Sequence, residues 1–263
     1  MCGRYVITTA PEALRALFGY AEQPGFPPRF NVAPSQPIPV VRLIDGKRQF
    51  ALLRWGLIPS WVKDPRTFSL LINARGESVL DKPAFRNGMK RRRCLIPADG
   101  FYEWRQDGSR KRPFFVRPRS GAPVAFAGLW ETWTGPNGEE LETACILTTG
   151  ANRTLQPIHD RMPAVIAPEA FDLWLDAARV DAATAAALIA PAAEGLFEAY
   201  EVSTAVNRTA NDTAALIAPL APGAAEPAVV QKADKPAARA AAQSGANPRP
   251  KKPKKDDGQT SLF

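Results

Sequence analysis

Four short stretches of this chain carry side chains that could do chemistry. Cys2 stands at the second position. Removal of Met1 would leave its α-amine free beside its thiol. Such a 1,2-aminothiol forms a Schiff base with an aldehyde, and the thiol then closes a five-membered thiazolidine ring. An α-amine titrates near ~7.7–8.0, so a useful neutral fraction exists at neutral pH. Thiol reactivity follows the thiolate fraction, which Arg4 close by could raise. The bland alternative is a cysteine that stands there by accident of sequence. His159, in Ile158-His159-Asp160-Arg161-Met162-Pro163, is the chain's one histidine. It suits a general acid or base, or a hydrogen-bonded structural group. Glu103 lies among Phe101, Tyr102 and Trp104. Buried, its carboxyl would gain a raised pKa suited to proton transfer; at a rim it would pair with Arg105 or another arginine. In Asn73-Ala74-Arg75 the amide could orient a sugar hydroxyl or a carbonyl. Arg75 could clamp phosphate; otherwise the tripeptide is a strand-end turn.

Around these residues the chain places basic and aromatic groups. Arg4, Arg75, Arg86 and Arg161 are dispersed but could converge, whereas the run Lys90-Arg91-Arg92-Arg93 reads as a solvated face. Trp61 and Trp104 are candidate stacking surfaces for unpaired bases. Trp55 is expected in the core.

The elements that would hold these groups are mostly strands. Residues 1–7 alternate and suggest a strand near the start of the chain. Thr9 is the expected N-cap of a helix opened by Pro11 and Glu12 and ended near Gly19. Six prolines over 22–39 predict an extended loop. Residues 38–44 and 49–58 flank Asp45-Gly46, a hairpin signal. Residues 82–92 suggest a basic helix. Strands are expected over 93–104, 113–118, 123–131 and 142–149, and short helices over 168–177 and 181–189. The fold class is therefore α+β, mainly antiparallel β in a sheet or barrel, with peripheral helices.

Composition narrows the function classes. The three cysteines form no C-x-x-C pair, and one histidine cannot complete a usual zinc shell. A structural zinc site is therefore not expected. An odd cysteine count and an N-terminus unlike a secretory signal suggest a reducing cytoplasm, and no apolar run is long enough to predict a transmembrane helix; a monomer is expected. The net charge is +8, which favours acidic partners such as nucleic acid. Half of that excess lies late in the chain: residues 224–263 hold eight Lys/Arg and four Asp/Glu. There Ala, Pro and Lys dominate, and the composition predicts a disordered basic tail over 223–263 after a folded domain at 1–222.

Together, several blocks resemble the SOS-response-associated peptidase (SRAP) family. They are Met1-Cys2-Gly3-Arg4-Tyr5, Phe30-Asn31-Val32-Ala33-Pro34, Arg54-Trp55-Gly56-Leu57-Ile58-Pro59, Ile72-Asn73-Ala74-Arg75-Gly76-Glu77, Cys94 through Trp104, and Ile158 through Pro163. They run in the family's order and span residue 2 to about 220. The resemblance implies a barrel-like SRAP fold and a covalent sensor of abasic sites in single-stranded DNA. It implies that Cys2 forms the thiazolidine with the ring-opened deoxyribose, that Asn73 holds the site, and that Glu103 assists ring opening and proton transfer. It implies that His159 acts in Schiff-base chemistry and crosslink reversal, that Met1 is removed by self-processing, and that no metal or organic cofactor is required. Arg4, Arg75 and Arg161 match the family's DNA surface, to which Asn31, Arg86, Trp61 and Trp104 are added as candidates. A cysteine peptidase acting in trans and a non-covalent module for single-stranded or modified DNA remain the alternatives. The tail ends Gln259-Thr260-Ser261-Leu262-Phe263, similar to the peptides by which bacterial proteins dock on the replication sliding clamp. Gln259, Leu262 and Phe263 are the candidate anchors.

Overall fold

The computed structural model describes residues 2–220. Thirteen strands and four short α-helices follow in the order β1 (Tyr5–Ile7), α1 (Pro11–Phe18), β2 (Arg29–Val32), β3 (Pro37–Ile44), β4 (Lys47–Trp55), β5 (Asn73–Arg75), α2 (Arg86–Arg91), β6 (Arg93–Ala98), β7 (Gly100–Asp107), β8 (Arg110–Pro118), β9 (Val124–Thr134), β10 (Glu140–Gly150), β11 (Arg161–Pro163), β12 (Val165–Ile166), α3 (Phe171–Leu175), α4 (Ala182–Ala186) and β13 (Phe197–Glu201). This is the α+β, mainly antiparallel architecture expected from the strand-rich sequence.

Five strands close a hydrogen-bonded ring. β3 pairs with β4 over its whole length, β6 with β3, β9 with β6, β10 with β9, and β10 returns to β4 through a short parallel contact at Thr143–Arg54 and Ala144–Trp55. Closure removes the free edges that an open sheet would expose. The β3–β4 hairpin turns at Asp45 and Gly46, both with positive φ (49° and 74°). A type I′ turn requires that conformation, which glycine adopts without steric cost. All six residues of β6 are buried. Its carbonyls also hold the α3 side, where the Trp174 indole donates to Cys94 O at 2.8 Å.

A second sheet has the order β13-β8-β7-β1-β2. Here β1 lies between β7 and β2, with Tyr5 opposite both Phe101 and Val32. Tyr5–Ile7 is therefore interior structure. Tyr5 packs edge-on to Trp55 at 5.5 Å and to Phe126 at 6.4 Å, and Phe101 does the same to Phe126 at 5.8 Å. These rings join the two sheets in one core, in which Trp55 is fully buried as expected.

Four local expectations are corrected. The stretch 93–104 is two strands, broken at Asp99, and they belong to different sheets. The Pro-rich stretch contains β2, which lies at a sheet edge where missing backbone donors are tolerated. Ala10, not Thr9, caps α1. Thr9 is diverted because its N–H and hydroxyl both donate to Asp99, at 2.7 and 2.6 Å. Finally, the basic run is not all solvated. Arg93 is buried and donates to the carbonyls of Trp174, Met89 and Val180. The predicted helix end at Gly19 is observed, in the left-handed conformation. The 168–177 and 181–189 helices shorten to α3, entered through a 3-10 turn at Pro168–Ala170, and to α4. The basic helix predicted over 82–92 is α2.

Candidate active site

Cys2 precedes β1 and is fully buried. Asp99 anchors the other end of that strand. Its carboxylate also accepts the Thr8 N–H and the Thr8 hydroxyl, so two consecutive threonines are tied to one acid. The Cys2 thiol donates to Arg4 O at 3.8 Å, and the same carbonyl accepts the Tyr102 N–H at 3.0 Å. Burial, and then the nearby Glu103 charge, push the thiol well above the ordinary cysteine range. At neutral pH the sulfur keeps its proton. The expectation that Arg4 would acidify Cys2 fails on geometry: the Arg4 guanidinium goes to Asn31 Oδ1 at 2.9 Å and Val206 O at 2.8 Å.

Asn73 reaches Cys2 from the barrel. Asn73-Ala74-Arg75 is β5, parallel to β10, with Asn73 opposite Ile146, so its alternative as a strand-end turn does not hold. The Asn73 Nδ2 donates to Cys2 O at 2.8 Å. Its Oδ1 is buried and accepts no hydrogen bond among the described residues. An amide so placed holds the Cys2 backbone with one end and offers an acceptor with the other.

Glu103 comes from β7, the strand beside β1. Only 2 % of it is exposed, and burial pushes its carboxyl up to about 7. The Asp160 charge adds to the rise, and a hydrogen bond from the Trp104 amide counteracts it in part. The rim-carboxylate alternative is thereby excluded. A carboxyl poised near neutrality can give and take a proton within one reaction cycle.

His159 lies in the loop between β10 and β11. Its Nδ1 accepts the Arg161 N–H at 3.0 Å, and an Asp160 oxygen is 2.9 Å from the same nitrogen. These contacts favour opposite protonation states. Burial lowers the His159 pKa, which favours the neutral ring.

The candidate DNA residues divide into two groups. Arg75 and Arg86 are exposed. Trp61 is 59 % exposed and meets Phe68 edge-on at 5.7 Å. Each can meet a ligand without rearrangement. Asn31 is fully buried, and its Nδ2 donates to the carbonyls of Val206, Arg208 and Asn211. It fastens the 204–211 segment and positions Arg4 rather than presenting an edge to DNA. Trp104 is half-buried, with its indole donating to Asn207 Oδ1 at 2.8 Å. Arg161 forms a two-pronged pair with Glu77 at 2.6 and 2.9 Å. Gln259, Leu262 and Phe263 lie outside the described residues.

Sequence reasoning assigned no role to Asp99, Glu77 or the 204–211 segment. Asp99 and Glu77 both lie inside the blocks that carried the resemblance. The 204–211 segment is polar and irregular and gives no signal. Among the described residues, no three His, Cys, Asp or Glu side chains gather where they could hold a metal ion.

Comparison with known proteins gives the family. The chain is 38 % identical over 218 residues to the abasic site processing protein YoaM of Bacillus subtilis, covering 81 % of this chain and 96 % of that protein. It is 31 % identical over 258 residues to the abasic site processing protein HMCES of Xenopus tropicalis, covering 81 % and 76 %. A crystal structure of a protein from Bacteroides thetaiotaomicron superposes with a TM-score of 0.74 at 25 % identity, over 83 % of this chain and all of the other. The model of the SOS response associated peptidase (SRAP) family matches residues 1–209. With a buried Cys2 thiol held between two sheets, an asparagine on its carbonyl and a carboxyl near neutrality beside it, this chain belongs to the SRAP family.

Proposed function

We propose that this protein processes abasic sites in single-stranded DNA by forming a thiazolidine between Cys2 and the deoxyribose aldehyde. The observation that carries the reading is the meeting of three elements at one residue. Cys2 leads into β1, Asn73 of β5 binds its carbonyl at 2.8 Å, and buried Glu103 of β7 is charge-coupled to its thiol. Relatives named abasic site processing proteins over most of the chain support it.

The sequence of steps balances without a cofactor. Hydrolysis of the Met1–Cys2 peptide consumes one water, releases methionine and frees the Cys2 amine. An abasic deoxyribose is mostly a closed hemiacetal. Glu103 in its acid form donates a proton to the ring oxygen as the C1′ hydroxyl loses one, and the ring opens to the aldehyde. The amine attacks C1′, and water leaves to give the imine. The sulfur then bonds to C1′, and the thiol proton passes to the imine nitrogen. Aldehyde plus aminothiol thus give thiazolidine plus one water. A buried, protonated thiol suits this order, because the sulfur is used last. Single strands present the aldehyde without the cost of extracting a nucleotide from a duplex. His159, whose burial favours the neutral ring, is the second proton carrier for Schiff-base formation and reversal.

The same thiol argues against a cysteine peptidase acting in trans, which needs a thiolate–imidazole pair at rest. The residues at 223–263 are read as a basic tether, with Gln259, Leu262 and Phe263 as clamp-binding anchors. Docking there would raise the local concentration of the domain near exposed single strands. The test of the chemistry is a denaturing gel. A heat-stable adduct is expected with an abasic single-stranded oligonucleotide, none with the intact oligonucleotide, and none with Cys2→Ala. An adduct that persists in Cys2→Ala would refute the linkage.

A further inference from the structure

Arg161 is counted above among the DNA-facing arginines, yet in the DNA-free protein its charge is already taken. Both terminal nitrogens bind the Glu77 carboxylate, at 2.6 and 2.9 Å. Nη2 also donates to Thr148 O at 2.8 Å and meets Thr148 Oγ1 at 3.3 Å. The Nε N–H is buried without a hydrogen-bond partner among the described residues. The Nη1 and Nη2 pair with which the guanidinium would grip a two-oxygen anion is thus already engaged by Glu77. The Arg161 side chain is 14 % exposed, whereas that of Glu77 is 55 % exposed. Glu77 is the outer partner of the pair, and Thr148 holds the inner side.

A planar guanidinium fork recognises carboxylate and phosphate by the same two parallel hydrogen bonds. Glu77 thus occupies the position that a phosphodiester would take on Arg161. Resting on the DNA reading above, we propose that Glu77 is an internal stand-in for a backbone phosphate, which keeps Arg161 set until single-stranded DNA displaces it. Thr148 retains the guanidinium when Glu77 leaves. The Arg161 N–H on His159 Nδ1 then registers the bound phosphate relative to the histidine.

The physical consequence is competition. Glu77 should weaken binding to DNA of any sequence, because every phosphate must first remove it. Removing Glu77 should also steepen the salt dependence, since a displaced carboxylate takes up a cation and offsets one that the DNA releases. Each phosphate contact on a single strand accounts for a slope of about 0.7 in log K against log salt.

The experiment measures binding of the full chain to an intact, fluorescently labelled single-stranded oligonucleotide over a salt series. Glu77→Gln is expected to bind roughly fivefold more tightly, the upper end of what an exposed ion pair is worth, with a slope steeper by up to about 0.7. Glu77→Asp should stay near the wild-type value. In an Arg161→Gln background, Glu77→Gln should lose most of its effect. Unchanged or weaker binding by Glu77→Gln overturns the inference. So does an equal gain in the Arg161→Gln background, which would reveal general charge removal instead of competition. Glu77→Ser repeats the measurement should Glu77→Gln prove unstable. Wild-type protein that binds and crosslinks DNA while Glu77→Gln changes nothing sinks this inference alone. Wild-type protein that neither binds nor crosslinks sinks the DNA reading itself.

Discussion

At the scale of residues, the site is governed by burial. Glu103 and Cys2 are both removed from water, and each is thereby held in its neutral form further up the pH scale than usual. For Glu103 the sign is definite. Its folded pKa, about 7, lies above its ordinary 4.5, so the folded state binds the proton more tightly than the unfolded state. The stability this gives is complete below pH 4.5, declines as pH rises, and is gone above pH 7. At 1.36 kcal/mol per pKa unit the loss is on the order of 3 kcal/mol. Glu103→Gln, neutral at every pH, should therefore lack this decline in chemical denaturation at pH 5 and pH 8. The same substitution should slow crosslinking at least about tenfold, the lower end of general acid–base effects being larger still, while binding to intact DNA is retained. Equal crosslinking rates for Glu103→Gln and wild type would remove the acid–base role.

The residue types at the site were legible in the sequence, but their environment was not. Cys2, Asn73, Glu103 and His159 could be named from type and motif. That Arg4 turns away from the thiol, and that Arg161 is already paired, depends on partners 27 and 84 positions distant in the chain. Spacing along the sequence carries no information about such contacts. A guanidinium reads as a free cation until its carboxylate is located.

At the scale of elements, positioning comes from how strands end. Strand β1 has only three residues, yet it lies between β2 and β7 and is locked by four donors on Asp99: the amides and hydroxyls of Thr8 and Thr9. Hydrogen bonds to a charged group are worth about 1.5–3 kcal/mol each when broken singly. Asp99→Ala is accordingly expected to destabilise the fold by about 3 kcal/mol or more and to reduce adduct formation at temperatures where the protein remains folded. A melting temperature within about 2 °C of wild type would contradict that role for Asp99, since 1 kcal/mol shifts a chain of this size by about 2–4 °C. Asp99 also explains two sequence misreadings. It draws Thr9 away from the helix cap, and it divides the long strand expected over 93–104. Long strands and the Asp45-Gly46 hairpin were readable because alternation and turn chemistry are local signals. β2 and β5 were not, because three- and four-residue strands exist only through their neighbours, β1 for one and β10 for the other.

At the scale of the whole molecule, the net charge of +8 pointed towards nucleic acid without locating it. Within the described residues many arginines are committed: Arg4 to Asn31, Arg93 to carbonyls, Arg161 to Glu77. Arg75 and Arg86 are exposed. Residues 224–263 carry eight Lys/Arg against four Asp/Glu. Deleting residues 223–263 is expected to leave crosslinking of a short abasic oligonucleotide within about twofold, while flattening the salt dependence of binding. Loss of crosslinking in that truncated chain would place essential chemistry in the segment.

The central claim is the bond between Cys2 and the abasic sugar, and intact mass spectrometry followed by peptide mapping reads it most directly. The protein alone should lack Met1. With abasic single-stranded DNA, the Cys2 peptide should gain the deoxyribose fragment less one water, and no other residue should be modified. A retained Met1 with a modified lysine or internal cysteine would contradict the account.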